Sequence, residues 1–73
     1  MQHSLTAIIE KEVNTYVALC PELDIASQGN SIEEAKSNLH EAVELFFETA
    51  SSQEVADRMH SDIFITQLHV EVG

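Results

Sequence analysis

The alternation of apolar and polar residues predicts three short β-strands in the first part of the chain. Leu5–Glu10 and Tyr16–Cys20 are rich in apolar and β-branched side chains, which is typical of strands. Pro21 has no amide hydrogen to donate, so pairing of the second strand should end there. Leu23–Gln28 then predicts a short third strand, which Gly29 closes.

The links between these elements carry two further expectations. Lys11–Asn14 is polar apart from Val13 and lacks the Asn-Gly or Asp-Gly pair of a tight hairpin, so a looser loop is expected. Gly29 stands shortly before a helix start, where we expect it to supply a positive φ angle.

The residues from Ser31 to about Thr49 predict one amphipathic helix. Ser31 is a suitable N-cap, and Glu34 three residues later completes a capping box. At about 100° per residue, the apolar and the acidic residues fall on opposite faces. The apolar face comprises Ile32, Ala35, Leu39, Ala42, Val43, Phe46 and Phe47, and the acidic face comprises Glu33, Glu34, Glu41, Glu44 and Glu48. Leu45 lies beside the acids and is expected at the surface or in an interface.

The last part of the chain predicts a short helix followed by a strand. Ser51 or Ser52, with Glu54 behind it, can start a helix that runs through Met59. Ile63–Val72 alternates well and predicts a fourth strand. One side of it comprises Phe64, Thr66, Leu68, Val70 and Val72, and the other comprises Ile63, Ile65, Gln67, His69 and Glu71.

The resulting order, β-β-β-α-β, predicts a single α+β domain in two layers, with one main helix on one face of the sheet. The opposite face should stay open, as an expected interaction surface. Strand alternation points Leu5, Ala7, Ile9, Tyr16, Ala18 and Cys20 toward the helix. It leaves on the open face Thr6, Ile8, Val17, Leu19 and the side of the fourth strand that carries His69. Both sets contain apolar residues, so the reverse assignment is also open.

Size and charge indicate association with other proteins. A 73-residue chain builds only a small core, and its one cysteine allows no internal disulfide, so a homodimer or homotetramer is expected. Thirteen acidic residues against three basic ones give a formal net charge of −10. Because Lys11, Lys36 and Arg58 form no cluster, no direct binding of nucleic acid or membranes is expected. A basic partner suits this charge, although acidity that serves only solubility is the simpler interpretation.

No catalytic, cofactor-binding or metal site is predicted, so the protein is expected not to be an enzyme. The first strand has no acid at its centre, which a two-metal nuclease would need. Cys20 is better explained as a buried thiol than as a nucleophile, and the four histidines lack metal-ligand spacing. The N-terminus resembles no export signal and no apolar run approaches the length of a membrane span, so a cytoplasmic location is expected.

The stretch from Tyr16 to Ala35, YVALCPELDIASQGNSIEEA, closely resembles the N-terminal domain of HicB-type antitoxins of bacterial toxin–antitoxin pairs. The family pattern is a Tyr-Val-Ala-like strand, a proline followed by an acid, a short strand, and Gln-Gly-x-Ser/Thr-x-Glu-Glu-Ala at the helix start. The matching residues are Tyr16-Val17-Ala18, Pro21-Glu22-Leu23-Asp24, Gln28-Gly29-Asn30-Ser31-Ile32-Glu33-Glu34-Ala35 and, further along the helix, Leu39-His40-Glu41-Ala42. The resemblance covers essentially the whole chain and implies one HicB-like domain with a partial ribonuclease H fold.

Two departures from the family pattern bear on these expectations. Many members carry a further C-terminal DNA-binding domain, whereas this chain ends at Gly73 directly after the predicted fourth strand, so none is expected. The glycine often found before the family tyrosine is replaced by Val13-Asn14-Thr15, which leaves the hairpin geometry open.

The resemblance implies a non-enzymatic role, in which the chain binds and neutralises a small HicA-type toxin. Such toxins are mRNA-cleaving ribonucleases with a fold like that of double-stranded-RNA-binding domains, and an acidic antitoxin complements their positive charge. The expected contacts are Glu22 and Asp24, at the corner that follows Pro21 between the second and third strands, with Val17, Leu19 and Ile8 on the open face. A hydrogen bond from the turn backbone to the Asp24 side chain is the equally weighted alternative to a partner contact. An orphan oligomeric interaction module or regulator, without an active toxin, is the alternative function.

Overall fold

The computed structural model describes residues 3–73 and shows an α+β fold. Its elements are β1 (Ile8–Glu12), β2 (Thr15–Cys20), β3 (Ile25–Gly29), α1 (Ile32–Thr49) and α2 (Ser52–Arg58). The strands form one antiparallel sheet in the order β1-β2-β3, and α1 packs across β3 and β2. The three predicted strands and both helices are confirmed, although the first strand begins at Ile8 rather than Leu5.

A tight hairpin joins β1 to β2, so the predicted looser loop is wrong. Glu12 pairs with Thr15, which leaves only Val13 and Asn14 in the turn. Val13 has a φ angle of 52°, in the left-handed region that is unfavourable for a β-branched residue. Pairing of the two strands imposes this turn on residues that do not favour it locally.

Val13→Asn is expected to stabilise the fold by about 0.5–1.5 kcal/mol, because asparagine tolerates the left-handed region better than valine. Val13 is 89% exposed, so the substitution loses little packing. Urea unfolding measures the gain. Val13→Ala is the control, because it removes the β-branch but alanine lacks asparagine's tolerance of the left-handed region. Equal stability of the two variants would contradict the assigned strain.

The sheet has a helix-facing side and an open side. The helix-facing residues that form the core or pack against it are Leu5, Ile9, Tyr16, Ala18, Cys20 and Ile25. The intervening residues Ile8, Val17 and Leu19 point to the opposite face and are only half-buried. The predicted facing of the strand side chains is confirmed with two exceptions. Ala7 is exposed and lies outside the core. Thr6, predicted on the open face, instead donates its hydroxyl to the buried carboxylate of Glu22 at 2.7 Å.

Helix α1 begins at the predicted cap. Ser31 Oγ accepts a hydrogen bond from Glu34 N at 3.0 Å, and Glu34 Oε1 accepts one from Asn30 N at 3.0 Å. The Glu34 carboxylate therefore accepts from the amide of Asn30, one residue before the cap, and not from the amide of Ser31 as in the usual capping box. Leu39 is buried in the core and Leu45 is exposed, as the helical pattern predicts.

Gly29 is required by close packing and not by its backbone angle. No glycine among residues 3–73 has a positive φ angle, so the expected positive φ at Gly29 is wrong. A Cβ atom on Gly29 would lie 2.6 Å from Ala35 N and 2.9 Å from Glu34 C. The end of β3 thus approaches the first turn of α1 so closely that only glycine fits.

Helix α2 folds back onto the corner between β2 and β3. Its capping box is complete, since Ser51 Oγ accepts from Glu54 N at 3.1 Å and Ser51 N donates to Glu54 Oε1 at 3.2 Å. At its other end, Arg58 Nε donates to Leu23 O at 2.8 Å. The short second helix therefore joins the strand corner to the end of α1.

Residues 63–72, predicted as the fourth strand, do not form one. His60 N donates to Glu22 O at 2.7 Å, but residues 61–73 make no backbone hydrogen bond with residues 3–60. Every side chain from residue 61 onward is exposed except that of Ile63, which is half-buried. Alternation makes a segment suitable for a strand, whereas a strand exists only when a neighbour pairs with it. The described order is therefore β-β-β-α-α.

Candidate partner-binding surface

Residues 21–24 form the corner between β2 and β3 and are anchored to the rest of the chain. Leu23 is fully buried, and its amide donates to Cys20 O at 3.3 Å. Arg58 reaches the corner from α2 and donates through Nη2 to Asp24 O at 3.3 Å, in addition to its bond with Leu23. Pro21 cannot continue the strand ladder, so the chain turns and Leu23 closes the end of the core.

Glu22 lies inside this corner and is only 8% exposed. Its two carboxylate oxygens accept hydrogen bonds from Thr6 N at 3.1 and 3.0 Å, and one also accepts from Thr6 Oγ1 at 2.7 Å. Cys20 Sγ donates to the same carboxylate at 3.6 Å. Glu22 therefore ties the segment before β1 to the corner, and its contact with a partner, which the sequence suggested, stays a prediction.

Two titratable groups in the corner have shifted pKa values. Burial acts to raise the pKa of Glu22, but hydrogen bonds from the Thr6 hydroxyl, from the amides of Glu22 and Thr6 and from Cys20 outweigh it and lower the pKa. Burial, reinforced by the Glu22 carboxylate, raises the pKa of the Cys20 thiol. Cys20 is thus a buried, protonated thiol at neutral pH, whereas an activated nucleophile needs a lowered pKa.

Asp24 is the acid of the corner that faces solvent. Its φ angle of 54° lies in the left-handed region, which aspartate tolerates better than most residues. Arg58 binds its backbone carbonyl, while its carboxylate accepts no hydrogen bond from residues 3–73. Of the two corner acids, Asp24 is therefore the one available to a partner.

The open face of the sheet has an apolar centre and an acidic margin. In the β1–β2 register, Ile8 pairs with Leu19 and Glu10 pairs with Val17, so these side chains share one face. The three apolar residues are half-buried, and Glu10 is exposed beside them. Glu12 extends the margin toward the hairpin. Apolar surface bordered by carboxylates suits contact with a protein of basic character.

The outer face of α1 adds negative charge. Its exposed acids are Glu33, Glu34, Glu41, Glu44 and Glu48. Within residues 3–73 the single ion-pair contact joins His40 Nδ1 to Glu44 Oε1 at 3.2 Å, and it is ionic only when the histidine is protonated. These carboxylates therefore add to a field that attracts cationic partners.

Side chains with catalytic or metal-binding potential are dispersed over the described part of the chain. Among residues 3–73, no three or more His, Cys, Asp or Glu side chains are grouped to hold a metal ion. His3 stacks on Phe47 with ring centroids 4.7 Å apart, so it packs against the helix. None of the helices described is both long enough and apolar enough for a membrane crossing.

Two residues of the corner were missed by sequence reasoning. Thr6 lies 16 residues from Glu22 and Arg58 lies 35 residues from Leu23, and no spacing rule links either pair. The one available signal is that Arg58 is among three basic residues in a strongly acidic chain. That scarcity indicates a specific role without identifying its partner.

These features define a small, acidic α+β domain whose three-stranded sheet is covered by α1 on one face only. The chain belongs to the UPF0150 protein family. It is 43% identical over 53 residues to a UPF0150 protein of Helicobacter pylori strain J99, covering 71% of this chain and 74% of that protein. It is 48% identical over 50 residues to a UPF0150 protein of Synechocystis sp., covering 66% and 69% respectively. No family model and no solved structure matches the chain.

Proposed function

We propose that this protein is a HicB-type antitoxin that binds a small, basic HicA-type toxin and blocks its mRNA-cleaving activity. The observation that carries the proposal is the open face of the sheet, where Ile8, Val17 and Leu19 form an apolar centre next to Glu10. The sequence motif from Tyr16 to Ala35 supplies the toxin class, and membership of the UPF0150 family is compatible with this role.

The proposal includes the fold type. Three antiparallel strands followed by a helix that packs back across them agree with the first part of a partial ribonuclease H fold. In such an arrangement a strand after the helix would join the sheet, which residues 63–72 do not do within this chain.

Binding on the open face has a simple energetic basis. Contact removes the half-buried apolar side chains from water, which favours association in proportion to the area covered. A basic partner also relieves the mutual repulsion of carboxylates in a chain of net charge −10 and is drawn in by their field. Apolar contacts therefore supply most of the affinity, while the acids raise the association rate and select a cationic partner.

The residues of the site take different parts in this proposal. Leu19 and Val17 lie on the central strand, so they contact the partner at the middle of the face, and Ile8 extends the patch onto β1. Asp24 lies at the corner with its carboxylate exposed and acts as a rim charge. Glu22 supports the corner from inside through Thr6.

Leu19→Lys is expected to weaken the complex with the toxin, for which the product of the adjacent gene is the first candidate to test, by about 30-fold, the effect of losing a central contact worth roughly 2 kcal/mol. Titration calorimetry measures the affinity, and a ribonuclease assay shows whether stoichiometric wild-type chain abolishes mRNA cleavage. Leu19 is half-buried on the open face, so circular dichroism must first show that the variant is folded.

Two further variants make the experiment specific. Leu45→Lys is the matched control, because the same substitution falls on an exposed position of α1 away from the open face. Asp24→Lys should slow association, most strongly at low salt, with little effect on dissociation. Equal affinities of Leu19→Lys and Leu45→Lys would place the site elsewhere. An adjacent protein that neither binds the chain nor cleaves RNA would favour the orphan interaction module.

A further inference from the structure

Residues 63–72, here called the C-terminal arm, expose an unusual amount of apolar surface. Phe64 is 90% exposed, Leu68 is 87% exposed and Val72 is 92% exposed. Ile65 and Val70 are also exposed. Together they account for most of the large apolar side chains exposed in residues 3–73, and monomeric proteins rarely leave such a cluster uncovered.

The arm has the character of a β-strand that lacks a neighbour. Its residues alternate, with a high content of β-branched and aromatic types, and residues 63–70 contain no Asp, Glu, Lys or Arg. An unpaired segment of this kind exposes backbone donors and acceptors that readily add to an open sheet edge.

The edge formed by β1 is the one that can receive such a strand. β1 and β3 are both edge strands, since the sheet order is β1-β2-β3. On β3, Asn38 Nδ2 of α1 already donates to Gln28 O at 2.8 Å, which occupies a carbonyl of that strand. Residues 5–9, which lead into β1 and form its first two positions, contain no Asp, Glu, Lys or Arg, and neither do residues 63–70 of the arm. Pairing along this part of the edge therefore brings no carboxylates together in a strongly acidic chain.

The arm leaves the body of the protein beside Leu5, in the segment that leads into β1. Met59 packs against the core, and His60 N is held by Glu22 O at 2.7 Å. Ser61 lines the same shallow groove as Leu5. From this point the arm departs without a backbone hydrogen bond to residues 3–60, and the structure reaches 51 Å along its longest axis against 29 and 17 Å along the others.

We propose that the C-terminal arm of one copy pairs as a fourth strand along β1 of a second copy, and that the second copy returns the same contact. Each chain supplies one arm and one open edge, so two chains satisfy each other and close the assembly with two-fold symmetry. The ten residues of the arm and the five residues of β1, with the side chains that flank them, approach the roughly 20–30 residues a side of a stable interface.

Proline substitutions in the arm test the pairing. Successive amides along a strand point to opposite sides, so Gln67→Pro or Leu68→Pro removes an amide directed at the neighbouring strand. Sedimentation equilibrium is expected to give a two-chain mass for the wild type. At least one proline variant should raise the dissociation constant about tenfold or more, by loss of a ladder hydrogen bond and strand geometry.

The controls separate pairing from folding. Gln67→Ala keeps the backbone amide and should dimerise like the wild type. The arm makes no backbone hydrogen bond with the body, so both proline variants should keep wild-type circular dichroism in the helical bands. A wild-type chain that stays monomeric, or two proline variants that dimerise as tightly as Gln67→Ala, would overturn the proposal.

A mixed-label measurement identifies the receiving edge. Chains that carry a spin label on Thr66→Cys and no isotope are mixed with ¹⁵N-labelled wild-type chains. The spin label should broaden the amide signals of β1 in the ¹⁵N-labelled chains. Cys20 is buried and should not take the label. If the β1 amides broaden only when the spin label and the isotope are on the same chain, the arm pairs with β1 of its own chain. Broadening centred on α1 would show that the arm binds the helix of the second chain instead of β1. Arm signals that shift only when a basic protein is added would show that the arm binds that partner. Each of these results overturns the proposal.

Discussion

Gly29→Ala is expected to lower the free energy of unfolding by about 2–3 kcal/mol, as overpacking of a close contact does. The added methyl group would lie 2.6 Å from Ala35 N, and a backbone atom cannot rotate away as a flexible side chain can. Relief requires β3 to separate from the first turn of α1. That movement disturbs the Ser31 cap and withdraws the buried Ala35 from the core.

Chemical denaturation followed by circular dichroism measures this loss. Gly73→Ala is the matched control, since a Cβ atom there has nothing within 4 Å and the same substitution should leave stability unchanged. Hydrogen exchange of the first-turn amides of α1 should accelerate in Gly29→Ala and remain unchanged in the control. Equal stability of the two variants would show that β3 and α1 are not packed as closely as described.

Glu22→Gln is expected to lower the free energy of unfolding by about 1.5–3 kcal/mol at neutral pH, the usual contribution of a hydrogen bond to a charged group. The carboxylate accepts from both the amide and the hydroxyl of Thr6. Glutamine keeps one acceptor oxygen and turns a donor group toward the remaining donors, so one bond is lost. Asp24→Asn is the control in the same corner, because the Asp24 carboxylate accepts no hydrogen bond from residues 3–73.

The same variant should carry a distinct pH dependence. The pKa of Glu22 is lower in the folded chain than in the unfolded chain, where an ordinary glutamate titrates near about 4.3. Its stabilisation is therefore fully present above that unfolded pKa and is lost as the pH falls through the folded pKa. The difference in unfolding free energy between wild type and Glu22→Gln should stay constant from neutral pH to about 5 and shrink below about 4.

That difference is more informative than the wild-type curve alone. The other acids of a chain with net charge −10 lose their mutual repulsion over the same pH range, which changes the stability of both proteins similarly. A wild-type advantage that persists undiminished to pH values well below the folded pKa would contradict the assigned role of Glu22.

The local elements were predictable because short-range physics decides them. Ser31 caps α1 where the sequence places a serine before an amphipathic run, and Leu39 is buried because it lies on the apolar face of that run. β2 ends at Cys20 because Pro21 cannot donate to the ladder. The open-face residues Val17 and Leu19 follow from the two-residue period of the same strand.

The two mistaken turn expectations share one physical cause. Val13 adopts a positive φ angle although its side chain disfavours it, because pairing of β1 with β2 leaves two residues for the turn. Gly29 was assigned a special backbone angle, whereas the approach of α1 is what excludes a side chain there. Both outcomes depend on how paired or packed elements meet, which local preference does not encode.

The candidate site was only partly predictable for a related reason. Glu22 and Asp24 are close in sequence and similar in chemistry, yet one is enclosed by Thr6 and the other faces solvent. The enclosure depends on a segment 16 residues away and on Arg58, which approaches the corner from α2. A sequence pattern covers only neighbouring residues, so it cannot show that Glu22 is internal and Asp24 is exposed.

By itself, the sequence determined the α+β class, the three strands, the capped helix, the strongly acidic surface and a strand-like C-terminal arm, because composition, periodicity and capping act over a few residues. Only the tertiary structure decided that Glu22 is internal, that Gly29 is fixed by the approach of α1, and that the arm has no neighbour within residues 3–73. These features depend on contacts between segments that are distant in sequence. Strand pairing and burial need both segments, so neither segment determines them alone.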